Sequence, residues 1–378
     1  MTVFDRYLLK SFIKIFLISF VSFSGLFVVI HLFTNLDELQ ELADKTGGLG
    51  PLVVDFYGPR LLDLFNRTAG VLVLVSAIFA VSMMQRRGEL TAILAAGIPK
   101  SRVVRPIIFA AIVMIGLSIA NRELVIPKIK DKLVRTPKNW TDDGSVDMKF
   151  QKDHLTGLLI RGDQLMLKEN KITETDIQLP MHMSSKIPRL HSQWSTIEPA
   201  KEWRPAGILM HQVTEPENLS ELSSMATDDQ TVVYAPRDHK WLRPRQVFVA
   251  VELNANEIAF GKQLAQYSTL QEMMATLRKP RLWFGHGQQI EVHSRILHPL
   301  LDLTLLLLGL PLVISRPDRN IFMAAGSAVL VIVAFSVVVM VCQALGSYSL
   351  LRPASFAAWL PLIVFVPLAA LSMRKLKN

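Results

Sequence analysis

The sequence contains almost no cysteine. Cys342 is the only one among 378 residues, and it lies within an apolar run. An intrachain disulfide is therefore excluded, and cysteine usage does not indicate a redox compartment.

The sequence also lacks the motifs of common catalytic sites. The segment Ala96–Ser101 faintly resembles a GxxxxGK[ST] phosphate-binding loop, but it has neither the second glycine nor the loop length. The nine histidines include no HExxH pair, and motifs of serine or cysteine nucleophiles are absent. Met181-His182-Met183 is a weak candidate for a soft metal. We therefore expect no cofactor and no enzymatic activity, and any ATPase activity should belong to a separate partner subunit.

Charge is distributed unevenly along the chain. Residues 123–293 contain 22 Lys and Arg and 22 Asp and Glu, so the whole net charge of +9 lies outside them. The basic excess thus accompanies the apolar segments, where positive loops set membrane topology. No nucleic-acid partner is expected.

Long uncharged runs are the main feature that is present. Ile15–Leu36 has 22 uncharged residues, which is longer than a signal-peptide core and long enough to span a bilayer. Six spans are predicted at Ile15–Leu36, about Pro59–Met84, Val103–Asn121, Ile296–Ser315, within Asn320–Leu351, and Phe356–Met373. The sequence therefore predicts a polytopic membrane protein.

The flanking charges predict the orientation of these spans. Basic residues precede the first span, and Arg316 and Arg319 follow the fourth. The chain ends with Arg374, Lys375 and Lys377. We expect both termini to be cytoplasmic.

A polar segment separates the third and fourth spans. Its short alternating stretches, divided by turn signals, predict a β-sandwich or jelly roll. These strands are Leu155–Ile160, Gln164–Leu167, Ile172–Leu179, Gly207–Val213, Thr231–Tyr234 and Val247–Leu253, followed by a helix at Leu270–Leu277. The predicted fold class is membrane α+β, with domains at 1–123, 124–292 (outside the membrane, on the non-cytoplasmic side) and 293–378.

The segment Gln85–Arg105 connects the second and third spans. It carries five cations against the single acid Glu89, as a cytoplasmic loop does. A short amphipathic helix at about 88–97 is predicted, with Gly97 as its C-terminal stop and Leu90, Ile93 and Leu94 on one face. Such a helix can lie in the headgroups or dock into a groove of a soluble partner.

Four segments resemble the lipopolysaccharide export permeases LptF/LptG (YjgP/YjgQ), in order and over nearly the whole chain. They are DRYLLKSF, RRGELTAILAAGIPKSRVVRP, NRELVIPK and HSRILHPLLDLTLLLLGLPLVISRP. The positions of Trp194 and Trp203 also follow the strand pattern of the family.

The resemblance implies a location, a function and a set of partners. The location would be a bacterial inner membrane, with the domain at 124–292 in the periplasm. A homologous permease subunit would complete a heterodimer enclosing a lipid cavity, and a cytoplasmic LptB-like ATPase dimer would dock on the loop helices. Lipopolysaccharide or a related lipid would then pass to an LptC/LptA-like periplasmic bridge. In this view the ATPase-coupling residues are Glu89, Leu90, Ile93, Leu94, Ala96 and Gly97, with Glu89 as the contacting carboxylate.

The residues that would line the lipid cavity are harder to identify from the sequence. Members of the family often carry Lys or Arg near the outer end of the first span, and here the nearest candidates are His31 and Lys45. The predicted lipid-cavity residues are Phe27, His31, Arg60, Arg67 and Asp302, with Arg67 facing the cavity. His31 is read as a satisfied polar residue in preference to a proton relay. Asp302 is read as a buried hydrogen-bonding residue facing the bundle interior, in preference to a coupling-ion site.

Two other classes of function fit the sequence. One is another ABC-type mechanotransmitter permease, although such proteins usually place the outer domain after the first span. The other is a membrane-anchored periplasmic scaffold or binding protein without transport. Copurification of an ATPase and nucleotide-dependent motion would distinguish these alternatives.

Overall fold

The structure is a computed structural model. It describes residues 3–46, 48–137, 140, 145–148, 150–153, 156–181, 183, 188–219, 222–227, 230–251, 255–278, 287–314, 321–347 and 354–374. The predicted loop and tail cations Arg316, Arg319, Lys375 and Lys377, and His182, lie outside these residues.

Eleven α-helices are present in the described part of the chain. They are α1 (Val3–Thr34), α2 (Leu36–Thr46), α3 (Leu49–Arg86), α4 (Glu89–Ala95), α5 (Lys100–Ala120), α6 (Lys130–Val134), α7 (Ala255–Tyr267), α8 (Leu270–Arg278), α9 (Gly287–Ile314), α10 (Ile321–Ser347) and α11 (Ala354–Arg374). A π-helical turn at Asn121–Val125 and a 3-10 turn at Ile126–Ile129 connect α5 to α6.

Six of the described helices are long and apolar enough to cross a membrane: α1, α3, α5 with its continuation, α9, α10 and α11. The prediction of six spans is confirmed. The helix α3 forms the centre of the bundle, since 67% of its most apolar segment is buried, against 11% for α1. The peripheral helices therefore keep apolar faces for lipid or for another membrane subunit.

Close contact between α3 and α9 organises the core of the bundle. A Cβ at Gly70 would lie 2.0 Å from Asp302 Oδ1, and a Cβ at Gly309 would lie 2.3 Å from Leu74 Cδ1. Glycine on each helix thus lets the two backbones approach, as small residues do at helix interfaces in membranes.

The bundle has two distinct ends. At one end, α4 packs near the start of α1, and Gln85 Nε2 donates to Val313 O at 2.9 Å; we call this the α4 end. At the other end, the π-helical turn leads into the β domain; we call this the β-domain end. The helix α5 joins the two over about 31 Å, at 1.5 Å per residue.

The polar insert folds as a β domain. Its described strands are β1 (Ser145–Asp147), β2 (Gln151–Lys152), β3 (Leu159–Arg161), β4 (Gln164–Met166), β5 (Lys171–Gln178), β6 (Arg189–Glu198), β7 (Gly207–Glu215), β8 (Met225–Thr227), β9 (Gln230–Tyr234) and β10 (Gln246–Ala250). They form a ten-stranded antiparallel sheet in the order β1-β4-β5-β6-β7-β10-β9-β8, with β3 pairing both β2 and β5.

The sheet has one apolar face. Ile172, Met210, Val247 and Val249 are fully buried in one cluster, together with Ile258 of α7. Because strands along the sheet share this cluster, the sheet curves around one core. The predicted fold class, membrane α+β with a β domain between the third and fourth spans, is confirmed.

The sequence did not predict the strands β1, β2, β6 and β8 or the helices α2, α6 and α7. The inward positions of β6 include Ser192 and Ser195, and a bulge lies between His191 and Ser192, so the strand shows no apolar alternation. The buried hydroxyls satisfy one another, since Ser195 Oγ donates to Thr175 Oγ1 at 2.6 Å. The predicted helix at Leu270–Leu277 is confirmed as α8.

Candidate functional site

The loop helix α4 is shorter than predicted, and its ends are set by glycine. Gly88 precedes it with φ of 71°, and Gly97 follows it with φ of 79°. The N–H of Gly97 donates to Leu94 O at 3.0 Å, and that of Ile98 donates to Ile93 O at 3.2 Å. These two bonds form a Schellman motif, so the predicted role of Gly97 as the C-terminal stop is confirmed.

The apolar face of α4 is directed into the protein itself. Leu90 is 1% exposed, and Ile93 and Leu94 are half-buried against the core of the bundle. Leu90 therefore has no surface to offer a partner, and the three apolar residues hold α4 on the bundle. The exposed side carries Thr91, Ala92, Ala95, Ala96 and Gly97. Ile93 and Leu94 keep part of their surface, so Glu89, Ile93, Leu94, Ala96 and Gly97 remain predicted contacts.

Glu89 belongs to a small polar cluster with Tyr7 and Arg87. Tyr7 Oη donates to Glu89 Oε1 at 3.0 Å, Arg87 donates to Tyr7 Oη at 3.0 Å, and Arg87 lies 3.8 Å from the carboxylate. The start of α1, the end of α3 and the start of α4 are thus tied together. A partner that binds the Glu89 carboxylate must compete with Tyr7 or Arg87.

A polar cleft of about 330 Å³ lies at the β-domain end, between α3, the two turns that follow α5, α7, α9 and α10. Arg67 lines it, donating to Asp63 Oδ2 at 2.8 Å and to Tyr267 Oη at 3.1 Å. Burial, and secondarily the Asp63 carboxylate, raises the pKa of Tyr267, so its hydroxyl stays protonated. A residue of the second span thus contacts a residue of α7 that lies 200 positions later.

Two further arginines line the same cleft. Glu291 Oε1 lies 3.8 Å from Arg122 and 3.6 Å from Arg295 Nε. The Arg295 side chain is 3% exposed and donates to Ser268 O and Gln266 O, the carbonyls that follow and end α7. The cleft is therefore cationic, and its side chains also attach the β domain to the bundle.

Asp302 lies one helical turn beyond the cleft residue His298 on α9, toward the α4 end. It faces the bundle interior as predicted, directly against the backbone of Gly70, and His298 Nδ1 lies 3.2 Å from its Oδ2. His298 also lines the polar cleft. Asp302 is thus a largely buried residue, with its side chain 14% exposed, and it has a hydrogen-bond partner.

A second cleft of about 580 Å³ contains Arg60 and His31. His31 Nδ1 lies 3.1 Å from Tyr57 Oη, and its ring packs 5.9 Å from Phe27. The Arg60 guanidinium lies 3.4 Å above the ring of Phe56. His31 is a satisfied polar residue, as expected. Gln266 and Tyr267 line both clefts, so the two are neighbours.

The structure groups the predicted cavity residues into three places. Arg67 lines the first cleft, Arg60, His31 and Phe27 lie in or beside the second, and Asp302 lies between α3 and α9. The sequence reading missed Arg122, Glu291, Arg295 and Tyr267. Charges at the ends of apolar spans were the available signal, but they read equally well as topology determinants. Among the described residues, no group of three His, Cys, Asp or Glu side chains is placed to hold a metal ion.

Six apolar helices with a β domain inserted between the third and fourth define a polytopic membrane protein with one large extramembranous domain. The family model described as "Lipopolysaccharide export system permease LptF/LptG" matches residues 6–164 and 191–375. Since this match covers most of the chain, the chain belongs to the LptF/LptG family of inner-membrane permease components. A comparison with curated proteins gives no match.

Proposed function

We propose that the chain is one of two transmembrane subunits of a lipopolysaccharide export complex and converts ATP hydrolysis by a cytoplasmic LptB-like ATPase dimer into lipid transfer. The observation that carries this proposal is the position of α4. It lies at the end of the bundle opposite the β domain, and α5 begins five residues after it ends. A displacement of α4 would therefore be transmitted along α5 to the base of the β domain.

The surface of α4 supports its role as the ATPase contact. Its exposed residues are mostly small, so no long side chain keeps the helix from entering a groove of another protein. Glu89 lies at one edge and would supply a charge-assisted hydrogen bond to a basic groove. The apolar residues beneath α4 would carry the applied force into the bundle.

Charge supports a cytoplasmic α4 end and a periplasmic β domain. The α4 end carries Arg86, Arg87, Lys100, Arg102 and Arg105, whereas the β-domain segment is neutral. In this orientation both clefts open on the periplasmic side. Arg60 and Arg67 would then meet lipid phosphates, and the β domain would pass the lipid to an LptC/LptA-like bridge.

A homologous second subunit would cover the exposed apolar helices. The most apolar segments of α1 and α10 are only 11% and 17% buried. Faces of this kind suit a dimer that encloses a lipid cavity. The heterodimer therefore remains part of the proposal.

A charge on the exposed face of α4 tests the coupling. In Ala92→Arg, the bulky cation should block the approach of the ATPase without disturbing the core, because Ala92 is exposed. We expect the amount of ATPase that copurifies to fall by about tenfold, equivalent to about 1.4 kcal/mol of binding free energy. Arg6→Gln, an exposed change at the same end, is the matched control. Undiminished capture of the ATPase by Ala92→Arg would reject the proposal.

The Glu89 cluster offers a second test. Glu89→Gln removes the charge, and we expect ATP-driven lipid release to fall while the ATPase still binds weakly. Tyr7→Phe keeps the carboxylate and removes one competitor for it, so lipid release should be retained. If the two variants lose activity equally, the cluster serves to hold α1 to α4 and not to contact the ATPase.

A further inference from the structure

The outer face of the sheet, opposite the apolar core, carries aromatic side chains. Cross-strand partners point to the same face of a sheet. One row therefore runs Trp194, His211, Gln246 across β6, β7 and β10, and the next runs Thr196, Leu209, Phe248, Tyr234 across β6, β7, β10 and β9.

These rings form one connected surface. Trp194 and His211 stack at 3.8 Å with an angle of 8° between their planes. Trp241 packs edge-on 5.5 Å from Phe248 and 5.1 Å from Trp203. Phe248 is fully buried and supports Trp241 and Tyr234, which pack against it. We call the accessible rings the outer strip, and it consists of Trp194, Trp203, His211, Tyr234 and Trp241.

Cations border the outer strip. Lys171 Nζ lies 5.1 Å from the ring of Trp194, and Lys201 Nζ lies 6.0 Å from that of Trp203. Buried Arg204 lies 4.9 Å from the ring of Phe248 and pairs with Glu198, while its Nε has no hydrogen-bond partner among the described residues.

The loop that leads into β10 adds four exposed cations. They are Arg237, Lys240, Arg243 and Arg245. Within the described part of the chain no salt bridge joins them to an acid, although the carboxylate of exposed Asp238 interacts electrostatically with Arg237. Glu198, which pairs with Lys201 and Arg204, is the other acid beside the rings. Cations therefore outnumber acids beside the aromatic rings, and this excess favours an anionic ligand.

We propose that the outer strip binds the phosphorylated saccharide headgroup of the exported lipid. Flat aromatic faces pack against the C–H faces of sugar rings, and arginine and lysine pair with phosphates. This proposal rests on the proposed function, because that function supplies the glycolipid. The strip lies on the face opposite the core, so it would hold the headgroup outside the apolar interior of the domain.

The geometry favours a saccharide over a membrane surface. Aromatic residues and cations also occur at membrane interfaces, where the rings insert among headgroups. Here only Trp203, at 59% exposure, projects strongly, whereas Trp194 on β6 and Trp241 in the loop before β10 are partly buried. Rings held against a sheet present a platform and not an inserting wedge.

Calorimetric titration of the purified full chain in detergent tests this site. The ligands are a lipid-free phosphorylated oligosaccharide, prepared by deacylating lipopolysaccharide, and the same oligosaccharide after phosphatase treatment. We expect Trp203→Ala and the pair Arg243→Gln with Arg245→Gln each to weaken binding of the phosphorylated ligand by about tenfold. The arginine pair should leave the weaker binding of the dephosphorylated ligand unchanged.

Matched controls lie elsewhere on the same domain. Phe150→Ala removes an aromatic ring that is 60% exposed, and Arg161→Gln removes an exposed cation on β3. Both should bind as the wild type does. Trp203→Phe keeps a ring and should restore binding, and unchanged unfolding midpoints will exclude misfolding of the variants.

Three results would overturn the proposal. The first is no binding of the phosphorylated oligosaccharide by the wild type, and the second is equal binding by wild type and strip variants. The third is that the strip variants lose binding to phosphatidylglycerol vesicles but keep saccharide binding, which would make the strip a membrane contact. Copurification of intact lipid with the wild type tests the proposed function separately, so bound lipid without saccharide binding would reject the strip alone.

Discussion

At Gly70 the backbone of α3 touches the Asp302 side chain of α9. A methyl group at this position would lie 2.0 Å from Oδ1 and 3.0 Å from Cβ of Asp302. We expect Gly70→Ala to lower the free energy of unfolding by about 1–3 kcal/mol, as overpacking of a tight core does. Thermal unfolding in detergent measures this change.

Gly116→Ala is the control for Gly70, because no atom lies within 4 Å of its Cβ position. It should be neutral or slightly stabilising, since alanine is the better helix former. Adding Asp302→Ala to Gly70→Ala should restore part of the lost stability. Equal midpoints for the two glycine variants would contradict the close contact.

His211 should make the β domain sensitive to acid. Gln246 accepts the N–H of Arg243 through Oε1, so its amide NH₂ faces His211 Nδ1 at 2.9 Å. A proton on Nδ1 of His211 would then face the N–H of the Gln246 amide, and this hydrogen bond would be lost. Burial lowers the pKa of His211 below 6.5, with Glu198 opposing and Arg243 adding to the shift.

Because the unfolded chain binds this proton more readily, the contribution of neutral His211 is complete above pH 6.5 and is lost as the pH falls through the lowered pKa. Thermal unfolding measured from about pH 7.5 to about pH 5 should therefore show a steeper loss of stability for the wild type than for His211→Asn. Parallel curves would exclude His211 as the source.

At the scale of elements, α4 depends on its terminal glycines and on the bundle beneath it. Seven residues do not form a stable helix alone. In Gly97→Ala, the left-handed conformation at φ of 79° becomes unfavourable by about 1 kcal/mol. We expect about fivefold faster hydrogen exchange of the α4 amides, with little change in global unfolding.

Gly50→Ala is the control for Gly97, because Gly50 lies in α3 with open space at its Cβ position. Its α4 amides should exchange at the wild-type rate. Unchanged exchange in Gly97→Ala would mean that packing of Leu90, and not the Schellman motif, holds α4.

At the scale of the whole molecule, a few polar contacts connect the bundle to the β domain. Arg295 donates to the carbonyls of Gln266 and Ser268, Glu123 accepts the N–H of Leu270, and Arg67 donates to Tyr267. These contacts converge on the connection between α7 and α8. Thr269 and Glu272 also form a capping box at the start of α8, which fixes this turn.

Arg295→Met should loosen that connection. The substitution keeps much of the volume but leaves two carbonyls without their donor, at about 1–3 kcal/mol each. We expect calorimetry to resolve separate unfolding of the β domain and the bundle, and faster hydrogen exchange at Gln266–Leu270. Lys128→Gln, an exposed change nearby, should keep wild-type behaviour. A single unchanged transition in Arg295→Met would exclude this role.

The six spans, the position of the β insert and the stop at Gly97 were predictable because they depend on local chemistry. Run length and charge identify a span, and glycine alone tolerates the left-handed turn. The helix α2 was missed because its acidic residues read as an outer loop, although Leu39, Leu42 and Ala43 pack against α3. The strand β6 was missed because its inward residues are serines.

Periodicity by itself determined that Leu90, Ile93 and Leu94 share one face of a helix, and composition determined which segments enter a membrane. Only the tertiary structure decided that this face meets the protein's own bundle, that Arg67 contacts Tyr267, and that Arg295 holds the end of α7. A helical pattern fixes which side chains lie together but not what covers them. Partners separated by 200 residues in the chain are brought together by packing that no local sequence encodes.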